Sequence, residues 1–229
     1  YVEMAFTFAR KYAASDRLSY SDISLASLIP RLISSSVCES IQTLDLSSLN
    51  TSKATSLGHM FAYCTNLTTL DLSTFSNSRV NDFTEIFRSC TSLEEIKLGT
   101  RFVMNNGGKT ILSGMFHSCE NLVRISGSFD TACAIDMSYM FLGCKSLKSD
   151  FLNPFLRKFN TSNVENMYAM FAGCEAYSID ASSFTTEKLT SVLLMFQSCK
   201  STVIDLSNAS FEKITSFMSM FQNATDLLS

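Results

Sequence analysis

The chain has 229 residues, a formal net charge of −3 and a sequence pI near 5.4. That balance supplies no basic field for nucleic acid, and no run of about 18 consecutive apolar residues is present to form a transmembrane helix. Apolar residues make up 46%, well above what a disordered chain carries, and the 19 Phe, two Pro and eight Gly suit regular repeats with tight turns. The chain carries no signal-peptide pattern, begins at Tyr1 and stops within a repeat, so it reads as an excerpt from a longer protein.

The first two units are degenerate. Phe8 opens the series, but Lys11 stands where later units carry Cys, and Leu18–Tyr20 is a faint early strand. Ser35 takes the Phe position before Cys38, and Thr43–Ser47 (TLDLS) is the first clear strand pattern. From there a fixed string recurs. Phe61, Phe87, Phe116, Phe141, Phe171, Phe196 and Phe221 follow one another at steps of 26, 29, 25, 30, 25 and 25 residues. Met or Ile precedes each one, as in Met60, Ile86 and Met115. Cys follows three residues later at Cys64, Cys90, Cys119, Cys144, Cys174 and Cys199, with Ala224 in that place at the end. With Cys38 this ladder takes seven of the eight cysteines and leaves Cys133 aside.

The clearest unit is Val80–Leu98. Val80, Phe83, Ile86 and Phe87 have the spacing of one helical face, and Ile96 and Leu98 alternate about Lys97 as in a strand. Further strands are expected at Thr69–Ser73, Glu95–Gly99, Arg124–Ser128, Ser178–Ser182 and Val203–Ser207, with a poor rung at Asp150–Asn153. After the strands come an apolar residue (Leu49, Phe75, Phe155, Phe184, Phe211) and a Thr/Ser/Asn patch, at Asn50–Ser52, Ser76–Ser78 and Asn160–Asn163, expected to cap the next helix. The two longer steps place loop insertions at Met104–Lys109 and Leu156–Asn160. One such unit is too small to bury its own apolar face, so units must stack. The expectation is one α/β domain over residues 1–229: a leucine-rich-repeat-like solenoid of about nine units of 25–30 residues, clearest over 38–221, with parallel strands on the concave face and helices on the convex face.

The string Met-Phe-x-x-Cys-x-x-Leu with Leu-Asp-Leu-Ser, followed by Thr-Ser-x-Val-x-x-Met, resembles the BspA-like leucine-rich-repeat surface proteins. Met60–Phe75, Met140–Leu147 with Thr161–Met170, and Ile204–Phe221 carry the resemblance. It implies a curved right-handed solenoid, a secreted or surface-anchored location, and a role in adhesion to host matrix or to other cells.

Seven cysteines 25–30 residues apart, with His59 and His117 out of register, lack the clustered spacing of a metal site, and no metal or other cofactor is expected. Cys38, Cys64, Cys90, Cys119, Cys144, Cys174 and Cys199 read as a structural ladder of buried reduced thiols, with disulfides between adjacent rungs as the rival reading. In Leu-Asp-Leu the leucines point inward, so the middle residue points out. Asp45, Asp71, Lys97, Ser126, Asp180 and Asp205 would then line one strip, either as a wetted sheet surface or as the contact surface for a partner. A row of equivalent Asp lacks the two distinct environments of acid–base catalysis, and no phosphate loop, HExxH or GxSxG occurs, so no enzyme is expected. N-x-Ser/Thr sequons begin at Asn50, Asn66, Asn160, Asn208 and Asn223. The expected function is an extracellular or cell-surface module that binds protein or glycan, the alternatives being a spacer for another domain or an intracellular scaffold.

Overall fold

The computed structural model describes residues 38–39, 41–46, 51–52, 54–100, 102–104 and 106–228. Both degenerate first units lie mostly outside these residues, as does Asn50. The described chain winds as a parallel β-solenoid. Its strands are β1 (Thr69–Leu72), β2 (Glu95–Leu98), β3 (Thr110–Ile111), β4 (Arg124–Ser126), β5 (Ala134–Asp136), β6 (Ser178–Asp180) and β7 (Val203–Asp205). β1, β2 and β4 form one parallel sheet and β6 pairs with β7 in parallel, all with the inward residue of each strand in register: Leu70, Ile96 and Ile125, then Ile179 and Ile204. A second ladder joins the coils through β3, β5 and single bridges, running Ser56, Asp82, Ile111, Asp136, Asn166, Ser191.

The strands expected at residues 69–73, 95–99, 124–128, 178–182 and 203–207 therefore form, one residue shorter at the end or more. Thr43–Leu46 is not a strand. Among the described residues from Leu57 onward, the helices expected on the opposite side do not form. In their place runs a stack of tight turns. Met60 N–H donates to Leu57 C=O, Ala62 to His59, and Cys64 to Phe61, at 3.1–3.2 Å. Alternate amides point along the solenoid instead: Leu57, His59, Phe61 and Tyr63 donate to the carbonyls of Asp82, Thr84, Ile86 and Arg88 in the next coil at 2.7–2.9 Å. A continuous helix uses every amide internally, so this division excludes it. His59 and Tyr63, the third residues of the first and last of these turns, have φ of 59° and 65°, as type II turns need. The same two positions recur in each coil. Every described non-glycine residue with positive φ falls on one of them, including Glu85, Ser89, Ala169, Leu194 and Asn223.

Turns of three residues place apolar side chains three and four apart, which is why the pattern reads as helical. Val80, Phe83, Ile86, Phe87, Cys90 and Leu93 are all fully buried. Inside, Phe61, Phe87, Phe116, Phe141, Phe171, Phe196 and Phe221 stack as one column, with centroids 5.4–5.9 Å apart and planes within 14° of parallel. The Thr/Ser/Asn patches hold corners and cap no helices. Thr51 Oγ1 donates to Ser76 C=O and accepts from Ser76 N–H. Thr131 pairs likewise with Asn160, Thr161 with Thr185, and Thr186 with Ser210. Asn77 bridges both backbone groups of Val103.

One coil departs from the rest. The poor rung expected at Asp150–Asn153 is a helix, α1 (Ser149–Leu156), the one helix of more than a turn among the described residues. It occupies the place of a strand between β4 and β6 and divides the sheet. Its side chains do what a strand backbone would do for the edge of β6. Ser149 Oγ accepts from Ser178 N–H and donates to Ser178 C=O, while Asn153 Oδ1 accepts from Asp180 N–H.

Candidate functional site

On the outer face of the first sheet, Asp71, Lys97 and Ser126 stand opposite one another in register, and beyond α1 Asp180 stands opposite Asp205. The structure thus brings the predicted strip together as two groups with a helix between them. Asp45 is exposed, outside any strand, and is not without a partner. The strip's charges meet each other. Lys97 Nζ lies 2.9 Å from Asp71 Oδ2, Arg124 Nη2 lies 3.0 Å from Glu95 Oε2, and Arg157 Nη2 lies 2.6 Å from Asp180 Oδ2.

The strand aspartates also have a local task. Asp71 Oδ1 accepts the N–H of Ser73 at 2.8 Å, Asp180 that of Ser182 at 3.1 Å, and Asp205 that of Ser207 at 2.9 Å. These Asx turns bend the chain out of each strand, and they account for Asp followed two residues later by Ser. The Ser73 hydroxyl and amide and the Lys97 ammonium hold the Asp71 carboxyl down to about 2. Ser182 and Arg157 likewise hold Asp180 below the usual carboxylate range, against its partial desolvation.

The cysteine ladder lies inside the turn stack. Cys38 and Cys64 form a disulfide with Cα atoms 4.5 Å apart, so the expectation of reduced thiols fails on this rung. Helices would have spread the rungs by their diameter, whereas stacked turns keep them near strand spacing. Cys90, Cys119, Cys144, Cys174 and Cys199 are free and buried. The thiols of Cys90, Cys119, Cys144 and Cys174 donate to the carbonyls of Phe61, Phe87, Phe116 and Phe141 one coil back, at 2.9–3.1 Å. Cys199 Sγ lies 3.2 Å from Ser201 Oγ. Burial pushes the Cys90 thiol up to about 12, and those of Cys119, Cys144 and Cys174 well above the ordinary range. Among the described residues no group of three or more His, Cys, Asp or Glu is placed to hold a metal ion. None of their helices is long and apolar enough to cross a membrane.

A second cluster, which the sequence reading passed over, sits on the turn face. Arg88 Nη1 donates to both carboxylate oxygens of Glu85 at 2.7 and 2.8 Å, and the Tyr63 ring lies 5.7 Å from its guanidinium. His59 Nδ1 approaches Glu85 at 3.3 Å. His117 stacks on Tyr139 at 6.1 Å, and Tyr139 leans on Tyr168 at 4.9 Å. Both histidines of the chain fall here despite their different registers. The missed signal was coil position: residues 59, 63, 85, 88 and 117 all count from the Met/Ile-Phe pair, and only the turn stack turns that count into one surface. Of the sequons, Asn66 and Asn208 use their amide nitrogens on the carbonyls of Glu39 and Ser182.

No curated protein and no solved structure matches the chain. A family profile described as "Mycoplasma protein of unknown function, DUF285" matches residues 33–106 and 110–229. Since those segments cover the solenoid's turns, strands and α1 alike, the chain belongs to the DUF285 family.

Proposed function

We propose that this chain is a non-catalytic binding module of a secreted or surface protein, a BspA-like leucine-rich-repeat solenoid that engages a protein or glycan, host matrix included, through its strand face. The observation that carries the reading is the strip itself: Asp71, Lys97 and Ser126 in register on one rigid sheet, flanked by the exposed Thr69 and Arg124. A surface of this kind makes many modest contacts across several coils, so affinity accumulates along the stack.

The test is a binding assay of the purified chain against an array of matrix proteins and glycans. Changing the strand aspartates would also undo the Asx turns. The informative variant therefore carries Glu95→Ser, Lys97→Ser and Arg124→Ser, which leave those turns alone. Binding by the parent chain that this variant loses, with an unchanged unfolding midpoint, is the expected result. Retention of binding would remove the strand face from the reading, and no binding by the parent would favour the spacer role.

A further inference from the structure

Arg88 Nε and His117 Nδ1 are buried and have no hydrogen-bond partner, and they are the only such side-chain atoms among the described residues. Leaving a buried polar atom unmet costs about 1–3 kcal/mol, so folded proteins meet nearly all of them with protein, water or ligand. Here the two lie in one cluster. Arg88 spends Nη1 on Glu85 and keeps Nε free. Two rings flank this polar centre: Tyr63, 43% exposed, over the guanidinium, and Tyr139, 37% exposed, over the imidazole. The Arg88 side chain is itself 33% exposed, with Nε its buried atom.

The charge of the cluster narrows the ligand. Glu85 and Arg88 cancel. Burial, and then the Arg88 charge, push the His117 imidazole below its ordinary value, so it is neutral at pH 7. An anion would meet Glu85, and a cation would meet Arg88. What fits is an uncharged molecule whose hydroxyls accept from the Arg88 N–H and exchange a hydrogen bond with the neutral His117 imidazole nitrogen as donor or acceptor, and whose C–H faces lie on two tyrosine rings. Tyr63 and Tyr139 stand three coils apart, about 14 Å at strand spacing, which is longer than a single sugar ring.

We propose that this turn face is a binding site for a neutral oligosaccharide, whose hydroxyls accept from Arg88 Nε and hydrogen-bond His117 Nδ1 while its rings lie against Tyr63 and Tyr139. The site is on a different face from the strand strip and does not rest on it.

The test is titration of the chain with cellotetraose, chitotetraose, maltotetraose and mannotetraose, with tetragalacturonate as the charged control, followed by calorimetry and by amide chemical shifts. At least one neutral sugar binds, and the shifts centre on residues 63, 88, 117 and 139. Tyr63→Ala and Tyr139→Ala each weaken binding about tenfold or more, as loss of an aromatic anchor does. Tyr177→Ala, which removes a still more exposed tyrosine elsewhere, leaves it unchanged. Arg88→Lys keeps the charge and loses the Nε donor, so it weakens binding as well; if it fails to fold, the two tyrosine variants carry the test. Four neutral sugars that do not bind, binding indifferent to both tyrosines, or preference for the acidic control would each overturn the proposal. Binding lost in the Glu95/Lys97/Arg124 variant and kept in the tyrosine variants would place the sugar on the strand face and overturn it too.

Discussion

In four coils, those of Cys90, Cys119, Cys144 and Cys174, the cysteine is a hydrogen-bond donor in an apolar place. Its thiol reaches the Phe carbonyl one coil back, and that carbonyl already accepts an amide of its own turn, as Phe116 C=O does from Cys119. Since thiolate is the reactive form and burial holds these thiols protonated, alkylation of native protein at pH 8 should be slow at Cys90, Cys119, Cys144 and Cys174. After unfolding all four should react at the rate of a free thiol. Cys38 and Cys64 should need reduction first. Mass spectrometry of timed iodoacetamide labelling reads both classes, and rapid native labelling of the four would refute the ladder. His117 gives a pH dependence. Its folded value is depressed, chiefly by burial and then by Arg88, while Glu85 opposes the shift. The unfolded chain therefore binds the proton more readily, and stability falls as pH drops below about 6.5. Asp71 acts at lower pH. Its stabilisation is complete above about 4 and is lost as pH falls toward 2. Replacing His117 with Gln should remove the upper step from a pH series of urea midpoints and leave the lower one.

Glycine shows two kinds of backbone demand at the level of the turn. Gly143 has φ of 70°, and a Cβ there would make ordinary van der Waals contact with Ser118, Oγ nearest at 3.5 Å. Gly143→Ala therefore costs only conformational strain, about 1 kcal/mol. Gly127 has φ of 100°, and a Cβ there would stand 2.0 Å from Leu98 C=O, so the chain just after β4 would have to move away from the end of β2. Gly127→Ala should be clearly the worse of the two, and equal denaturation midpoints would contradict the packing described. For α1 the expected outcome is set by its pairing with β6. Asn153→Ala leaves Asp180 N–H and Ser178 Oγ without their partners and should cost about 1–2 kcal/mol, while Lys158→Ala on the exposed side should cost little.

Which elements were legible follows from the same geometry. The strands were readable because Leu70, Leu72, Ile96 and Leu98 alternate inward with polar outward neighbours, and period two has one structural meaning. The turn stack was not, because Leu57, Met60, Phe61, Cys64 and Leu67 are spaced by three and one, which a helix face and successive three-residue turns share. What separates the two is a left-handed residue at His59 and Tyr63, and neither side chain advertises it. The strip of Asp71, Lys97 and Ser126 was legible for the same reason as the strands. The turn-face cluster was not, because its members touch only when the coils are turns apart by one strand spacing. α1 was half-legible: the rung at Asp150–Asn153 read as a weak strand, and Pro154 just after it has no amide to give a ladder.

Over the whole molecule each coil touches only its neighbours, so stability is close to a sum along one axis. The phenylalanine column shows where that sum is most easily cut. Phe141 is fully buried, stacks on Phe116 at 5.6 Å and on Phe171 at 5.7 Å, and meets the edge of Phe155 from α1 at 6.5 Å. It sits where the sheet is divided by α1, so no strand pairing crosses that coil on the sheet side, while the turn-stack bonds such as Phe141 N–H to Met170 C=O continue through it. Phe141→Ala removes a large buried side chain from the interior coil that lacks strand pairing on the sheet side and should cost about 3–5 kcal/mol. Phe221, 43% exposed with one stacking neighbour at 5.4 Å, should cost about 1 kcal/mol or less when changed to Ala. The two also differ in kind. A defect at the end lowers one transition, whereas a defect at Phe141 weakens the interface between two runs of coils, each with its own paired strands. Urea unfolding of Phe141→Ala should therefore broaden or split into two steps, and hydrogen exchange at intermediate urea should protect the β1–β2–β4 amides and the β6–β7 amides to different extents. A single transition of unchanged slope would mean that the thiol, Phe and corner Thr ladders couple the coils strongly enough for α1 to be no break at all.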